Sequence, residues 1–261
     1  MVHRTKLTVA YLGGGFHGWQ RQRDRRTVQG DLERAVAAMT GGLQTAVVGA
    51  GRTDTGVHAA AQVAHLDLPV RIPPEAMVRA LNGLLPEEIR VRDAAEVTDA
   101  FHARRSARGK LYTYRGRFRP AALPWLGMRC AALPPITAPE RLAQAASLLV
   151  GRHDFASFTV PEAASGLTVR RLFRVWTVAR RDGLDLHFVG DGFLRYQVRR
   201  MVAALLDVGT GRLDGADFER LLDDPHPGAP LATVPARGLT LERVFYRAAP
   251  LLEPGALEAQ P

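Results

Sequence analysis

Gly49-Ala50-Gly51-Arg52-Thr53-Asp54-Thr55-Gly56-Val57-His58-Ala59-Ala60 separates two apolar, strand-like runs at residues 43–48 and 62–68. Three glycines, two threonines and one carboxylate fill the connection. Glycine permits positive φ and close approach of backbone to a ligand, while threonine hydroxyls tie down local amides. Asp54 is the only acid in the stretch, and Arg52 stands two residues before it. A nearby guanidinium favours the ionised carboxylate, and an oriented carboxylate can serve as nucleophile or base. Taken alone, the same residues also fit a tight turn closed by an Asx hydrogen bond.

Working outward, Leu7, Val9 and Tyr11 alternate with polar or small residues, which predicts a half-buried first strand. Thr27 can cap a helix whose apolar stripe is Val28, Leu32, Val36 and Met39. Pro73-Pro74-Glu75 opens a second helix with Met77, Ala80, Leu81 and Leu84 on one face, and Ile89 and Val91 begin another strand. The order β-α-β-β-α-β predicts a ferredoxin-like unit with helices on one face of an antiparallel sheet. The second half reads more loosely in the same terms. It has a helix near 138–150, strands near 169–180 and 184–190 joined by Arg181-Asp182-Gly183, and a helix after Phe193. A short helix over 217–223 and a closing strand through Leu239, Leu241 and Val244 follow. The expected division is 1–103, 104–250 and a loosely held tail, 251–261.

With 35 basic and 26 acidic residues among 261, the formal charge is +9. Such a balance points to a polyanionic partner, either nucleic acid or an anionic membrane surface. Lysine occurs only at Lys6 and Lys110, so nearly all the positive charge is arginine. Cys130 is the sole cysteine, which excludes an intrachain disulfide and a cysteine zinc site. The eight histidines lack ligand-like spacing, so no structural metal is expected. The N-terminus has no apolar signal-peptide core, and no apolar run approaches the roughly 20 residues that span a bilayer. A cytosolic protein without a membrane partner is expected.

Two basic segments frame the central loop. Residues 13–26 combine a glycine run, Phe16, Trp19 and the arginines Arg21, Arg23, Arg25 and Arg26. Aromatic faces with guanidinium groups suit stacking on unpaired bases and contact with phosphates, although Trp19 reads better as core. Arg104, Arg105, Arg108, Lys110, Arg115, Arg117 and Arg119 then run without an acid and flank Tyr112 and Tyr114, which share a strand face. In the helix after Phe193, Val198, Met201, Val202 and Leu205 form the buried stripe, with Arg199 at its edge. An arginine so placed either snorkels to water or meets a buried carboxylate. His153-Asp154 are sequence neighbours that seldom face one another, so they read as structural.

Together these pieces resemble the TruA-type pseudouridine synthases, which act on the anticodon arm of transfer RNA. The family's Tyr-x-Gly-x-x-Phe-x-Gly-Trp-Gln opening is similar to Tyr11 through Gln20, with a one-step difference in glycine placement at Leu12 and Gly13. Its Gly-Arg-Thr-Asp-x-Gly-Val-His-Ala core is complete at Gly51 through Ala59. Phe-His-Ala-Arg…Tyr-x-Tyr resembles Phe101 through Tyr114, and Phe-x-x-x-x-Val-Arg resembles Phe193 through Arg199, with Gln197 where methionine is common. The closing Pro-Ala-x-Gly-Leu-x-Leu falls at Pro235 through Leu241.

The resemblance implies an α+β fold of two ferredoxin-like (RRM-like) halves. Their antiparallel sheets would join into one extended sheet, with helices on one side and a basic cleft between the halves. It implies Asp54 as the catalytic aspartate and Tyr112 as the tyrosine that packs on the target base. Arg199 becomes the arginine paired with the aspartate, and Arg52 the one that helps turn the nucleotide out of its stack. It further implies a homodimer, a transfer RNA partner, no cofactor, and substrate uridines at positions 38 to 40 of the anticodon arm. Arg21, Arg23, Arg25, Arg104, Arg105 and Arg108 are expected to contact the RNA backbone. A non-catalytic RNA-binding protein would explain charge, aromatics and fold, but it leaves Arg52-Thr53-Asp54 without purpose. A hydrolase lacks a second acid at a recognisable spacing.

Overall fold

The computed structural model describes residues 2–118, 124–164 and 166–247. Arg119 and the tail 251–261 lie outside them. Two compact units divide the chain, Met1–Arg108 with Thr240–Tyr246, and Gly109–Leu239.

The first unit runs β1 (His3–Tyr11), α1 (Val28–Met39), β2 (Val48–Gly49), β3 (His58–Leu68), α2 (Pro74–Leu84) and β4 (Ile89–Val97). In β1, Thr5, Leu7, Val9 and Tyr11 are buried while their neighbours are half-buried, the period-two pattern of a strand with one face on a core. β1 sits between β3 and β4, antiparallel to both, and β2 pairs antiparallel with β3. The order β4-β1-β3-β2 matches the ferredoxin-like expectation. Thr27 caps α1 by accepting from the Gly30 amide, and Val28, Leu32 and Val36 are fully buried. On α2, Met77 and Leu81 enter the core. Leu84, expected on the same face, is half exposed at the helix end, and Leu85 takes the buried position instead.

The strand expected over 43–48 is a second correction. Only Val48–Gly49 pairs as β2. Ahead of it, side chains take the backbone's hydrogen bonding in place of a ladder: the Val47 amide donates to Glu33 Oε1. Thr45 Oγ1 donates in turn to the Asp67 carbonyl. β3 conversely begins at His58, so the last residues of the central motif are already strand.

The second unit contains β5 (Gly109–Arg117), α3 (Pro124–Gly127), β6 (Ala131–Ala132), α4 (Pro139–Leu148), β7 (Gly151–Asp154), β8 (Val169–Arg180), β9 (Gly183–Gly190), α5 (Gln197–Gly209) and α6 (Gly215–Asp223). β5, β9, β8 and β7 pair antiparallel in that order, and β6 lies parallel to β5. The α5 stripe of Val198, Met201, Val202 and Leu205 is buried as expected, with α4 and α6 packed against that helix. The closing strand, β10 (Leu239–Phe245), belongs to the first unit from Thr240 onward, and there Thr240 and Leu241 pair parallel with His58 and Ala59 of β3. An α+β architecture results.

Candidate active site

The Asp54 loop is fixed at nearly every residue. The Ala50 amide donates to the Val63 carbonyl at 2.7 Å. Gln62 Nε2, from a fully buried side chain, donates to the Gly51 carbonyl at 2.9 Å. Thr53 is buried, and its Oγ1 lies 2.9 Å from the Tyr11 hydroxyl. Burial raises the Tyr11 pKa above the ordinary phenol range, so this hydroxyl stays protonated. The Val57 amide donates to the Asp54 carbonyl at 3.1 Å, closing a turn whose third residue, Gly56, has φ +81°. Asp54 itself is half-buried.

The segment before α1 forms the other wall of this loop. The Trp19 amide donates to the Thr53 carbonyl at 3.1 Å, and the Gly13 amide to His58 Nδ1 at 3.1 Å. Phe16 and Trp19 are each only 2% exposed, so both support the loop from the core. The expectation that Phe16 offers a free stacking face is corrected: Arg26 covers its ring at 4.5 Å. Arg52 is exposed, with Nε donating to Gln20 Oε1 at 3.1 Å. The loop thus carries one carboxylate on a backbone fixed by hydrogen bonds, with Arg52 two residues before it tied to Gln20.

Tyr112 and Arg199 belong to the second unit. Tyr112 lies on β5 with its ring edge-on to Phe193 at 5.2 Å. Tyr114 shares its face and is buried, which raises its pKa beyond the usual range. Arg199 is half-buried near the start of α5 rather than freely snorkelling: Nε donates to the Val234 carbonyl at 2.8 Å, and its guanidinium lies 5.2 Å from the Tyr196 ring centre. Tyr196 carries φ +62°, a conformation a bulky residue adopts at a cost of about 1–3 kcal/mol, and Arg195 packs on the same ring at 4.9 Å.

Arg200 is a buried arginine that the α5 stripe does not announce. It is 7% exposed and donates to the carbonyls of Ala229 and Ser157 at 2.6 and 3.4 Å, and burial lowers its pKa. Its acceptors are backbone carbonyls, which leave no residue-type signal.

The arginines divide by environment. Arg23, Arg25, Arg104, Arg105 and Arg108 are exposed, as is Arg21, which also pairs with Glu33 at 3.1 Å. The turn bearing Arg104 and Arg105 is fixed by their amides, which both donate to His102 Nδ1 at 3.2 Å. Arg117 departs from the surface-strip expectation, for it pairs with the buried Asp185 at 2.7 Å. His153 and Asp154 do not form a catalytic pair: His153 Nε2 lies 3.1 Å from the Val150 carbonyl, and Asp154 accepts from the Ala156 amide. Among the described residues no group of three or more His, Cys, Asp or Glu could hold a metal, and no helix is long and apolar enough to cross a membrane.

The family model described as tRNA pseudouridine synthase matches residues 7–104 and 145–247, and so takes in Asp54, Arg52 and Arg199. Over 249 residues the chain is 40% identical to tRNA pseudouridine synthase A of Latilactobacillus sakei, covering 95% of this chain and 100% of that protein. It is 44% identical over 254 residues to tRNA pseudouridine synthase A of Limosilactobacillus fermentum, covering 94% and 96%. The enzyme of that name from Bacillus licheniformis is 39% identical over 247 residues, covering 93% and 99%. The chain belongs to the tRNA pseudouridine synthase family, isomerases that act on transfer RNA.

Proposed function

We propose that this protein isomerises uridines on the 3′ side of the anticodon arm, positions 38 to 40, with Asp54 as the catalytic carboxylate. The observation that carries the reading is the loop itself. A single carboxylate stands on a backbone held by Tyr11, Trp19 and Gln62, within a stretch that matches the family core residue by residue. The reaction breaks the bond between C1′ and N1 of uracil and forms one between C1′ and C5. C5 loses a proton and N1 gains one. Atoms and electrons balance within the nucleotide, so the chemistry calls for positioning and proton movement.

A uridine in a stacked helix is out of reach of Asp54 until it is flipped, at a cost of a few kcal/mol. Arg52 is assigned to that step, and Tyr112 and Arg199 to substrate binding. Arg21, Arg23, Arg25, Arg104, Arg105 and Arg108 are assigned to the RNA backbone. Their exposure and the net charge of +9 support this. The likeness to the family supports a homodimer working in the cytosol without a cofactor.

The test is mass-spectrometric mapping of pseudouridine in an unmodified transfer RNA incubated with the protein alone. Pseudouridine confined to the 3′ side of the anticodon arm supports the proposal. Its absence, or modification only elsewhere in the RNA, contradicts it.

A further inference from the structure

We propose that Gln20 and Gln29 are positioning residues for Arg52, linked into a polarised relay anchored on the buried carboxylate of Glu33. Glu33 Oε1 accepts from the Val47 amide at 3.1 Å and from Gln29 Nε2 at 2.9 Å. Gln29 Oε1 accepts from Gln20 Nε2 at 2.7 Å and from the Arg21 amide at 2.8 Å. Gln20 Oε1 accepts from Arg52 Nε at 3.1 Å. Glu33 and Gln29 are each only 9% exposed, whereas Arg52 is exposed.

The direction of this chain follows from chemistry. An ionised carboxylate only accepts, so the Gln29 atom facing it is the amide nitrogen. The Gln29 oxygen then faces Gln20, which answers with its own nitrogen. That leaves the Gln20 oxygen for Arg52, whose guanidinium only donates. Arg21 Nη1, 3.1 Å from Glu33 Oε2, balances the anchor's charge. Reversing either amide would set two acceptors or two donors against each other. The relay thus gives an exposed arginine one preferred orientation, with its remaining N–H groups available to RNA. It lies wholly within the first unit, 32 residues separating Gln20 from Arg52 in sequence.

The inference rests on the reading that Arg52 acts on the target nucleotide. The experiment uses an anticodon-arm RNA with 2-aminopurine beside the target uridine, so that fluorescence follows flipping and a single-turnover assay follows pseudouridine. Gln20→Met and Gln29→Met keep side-chain length and remove the amides. Each is expected to slow flipping roughly tenfold, the scale of one hydrogen bond to a charged group at a partly solvated site. RNA affinity should change less than about twofold, and neither variant should add to the loss in Arg52→Ala. If Arg52→Ala slows flipping but neither glutamine variant does, the relay is refuted while the Arg52 reading stands. If Arg52→Ala leaves flipping unchanged, that reading falls and the relay with it. An equal loss from Gln20→Met with or without Arg52 would mean a merely structural role and overturn the proposal.

Discussion

Gly18 lies against Thr53 so closely that a methyl group on it would meet the Thr53 carbonyl oxygen at 2.5 Å, and Gly18 itself has φ +83°. Gly13 is packed more tightly still, with the place a methyl would take only 2.1 Å from the Val57 carbonyl oxygen. These two glycines bracket the Asp54 turn, and in both cases the obstacle is backbone. Gly18→Ala and Gly13→Ala should each cost more than about 2 kcal/mol and suppress turnover. A methyl group on Gly14 would meet no heavy atom within 4 Å, so Gly14→Ala should stay within about 0.5 kcal/mol of the parent. Chemical unfolding of the three variants measures this, and equal stabilities would contradict the close approach.

The Tyr11 hydroxyl ties down Thr53, the residue before Asp54. Tyr11→Phe removes the buried 2.9 Å hydrogen bond and should cost about 1–3 kcal/mol. Turnover should fall while RNA affinity holds, because the phenyl ring keeps the packing and only the loop loses its tie. Thr53→Ser retains the hydroxyl and should stay nearer the parent than Thr53→Val. Single-turnover rates beside binding isotherms separate these outcomes, and a loss of affinity alone would contradict them.

The arginines that fold the protein should separate from those that bind RNA. Each phosphate contact contributes roughly −0.7 to −0.9 to the slope of log affinity against log salt. Replacing the exposed Arg104 and Arg105 together by glutamine should therefore shallow that slope by about 1.4 to 1.8, with little change in stability. Arg117→Gln instead leaves the buried Asp185 with Arg180 as its remaining arginine and should cost about 1–3 kcal/mol. Salt titrations with thermal unfolding check both, and an unchanged slope in the double variant would remove those two arginines from the RNA surface.

His187 predicts an acid-sensitive stability. Its pKa is lowered to about 4 by burial, with Arg115, Arg180 and Arg174 adding to the depression and Asp185 opposing it. Its ring stacks on Trp176 at 4.6 Å, and Nδ1 lies 3.0 Å from Thr113 Oγ1. A depressed folded pKa means that the unfolded chain takes up the proton first. The contribution is therefore intact above the unfolded value of 6.5 and is lost as pH falls toward about 4. That gap corresponds to roughly 3 kcal/mol. His65 and His102, lowered mainly by burial, add in the same direction. His187→Phe should flatten much of the decline in denaturant midpoint between those pH values. An unchanged decline would contradict the assignment.

Local signals in the chain are legible and distant satisfaction is not. The β1 alternation, the Thr27 cap and the α5 stripe are set by neighbouring residues, so their sequence pattern suffices. Residues 43–47 resemble a strand because their apolar content matches one. Glu33 and Asp67 supply hydrogen bonds that a ladder would have made. The basic run from Arg104 reads as uniform, yet strand pairing brings β9 beside β5 and gives Arg117 a buried carboxylate. Asp54 stands out as a lone acid among glycines, whereas nothing in the spacing of Gln20, Gln29 and Glu33 announces a relay to Arg52. Arg200 and the positive φ of Tyr196 likewise depend on loops folded beside them.

The central claim is that Asp54 performs the isomerisation, and one measurement tests it most directly. Asp54→Asn keeps the size of the side chain and the backbone hydrogen bonds of the loop while removing its charge. The variant and the parent are incubated with the same unmodified transfer RNA, and pseudouridine is quantified by mass spectrometry alongside RNA affinity. The account predicts no detectable pseudouridine from Asp54→Asn, with affinity equal to or higher than the parent's, because a negative charge has left a phosphate-binding surface. Pseudouridine formed by Asp54→Asn at the parent's rate would contradict it.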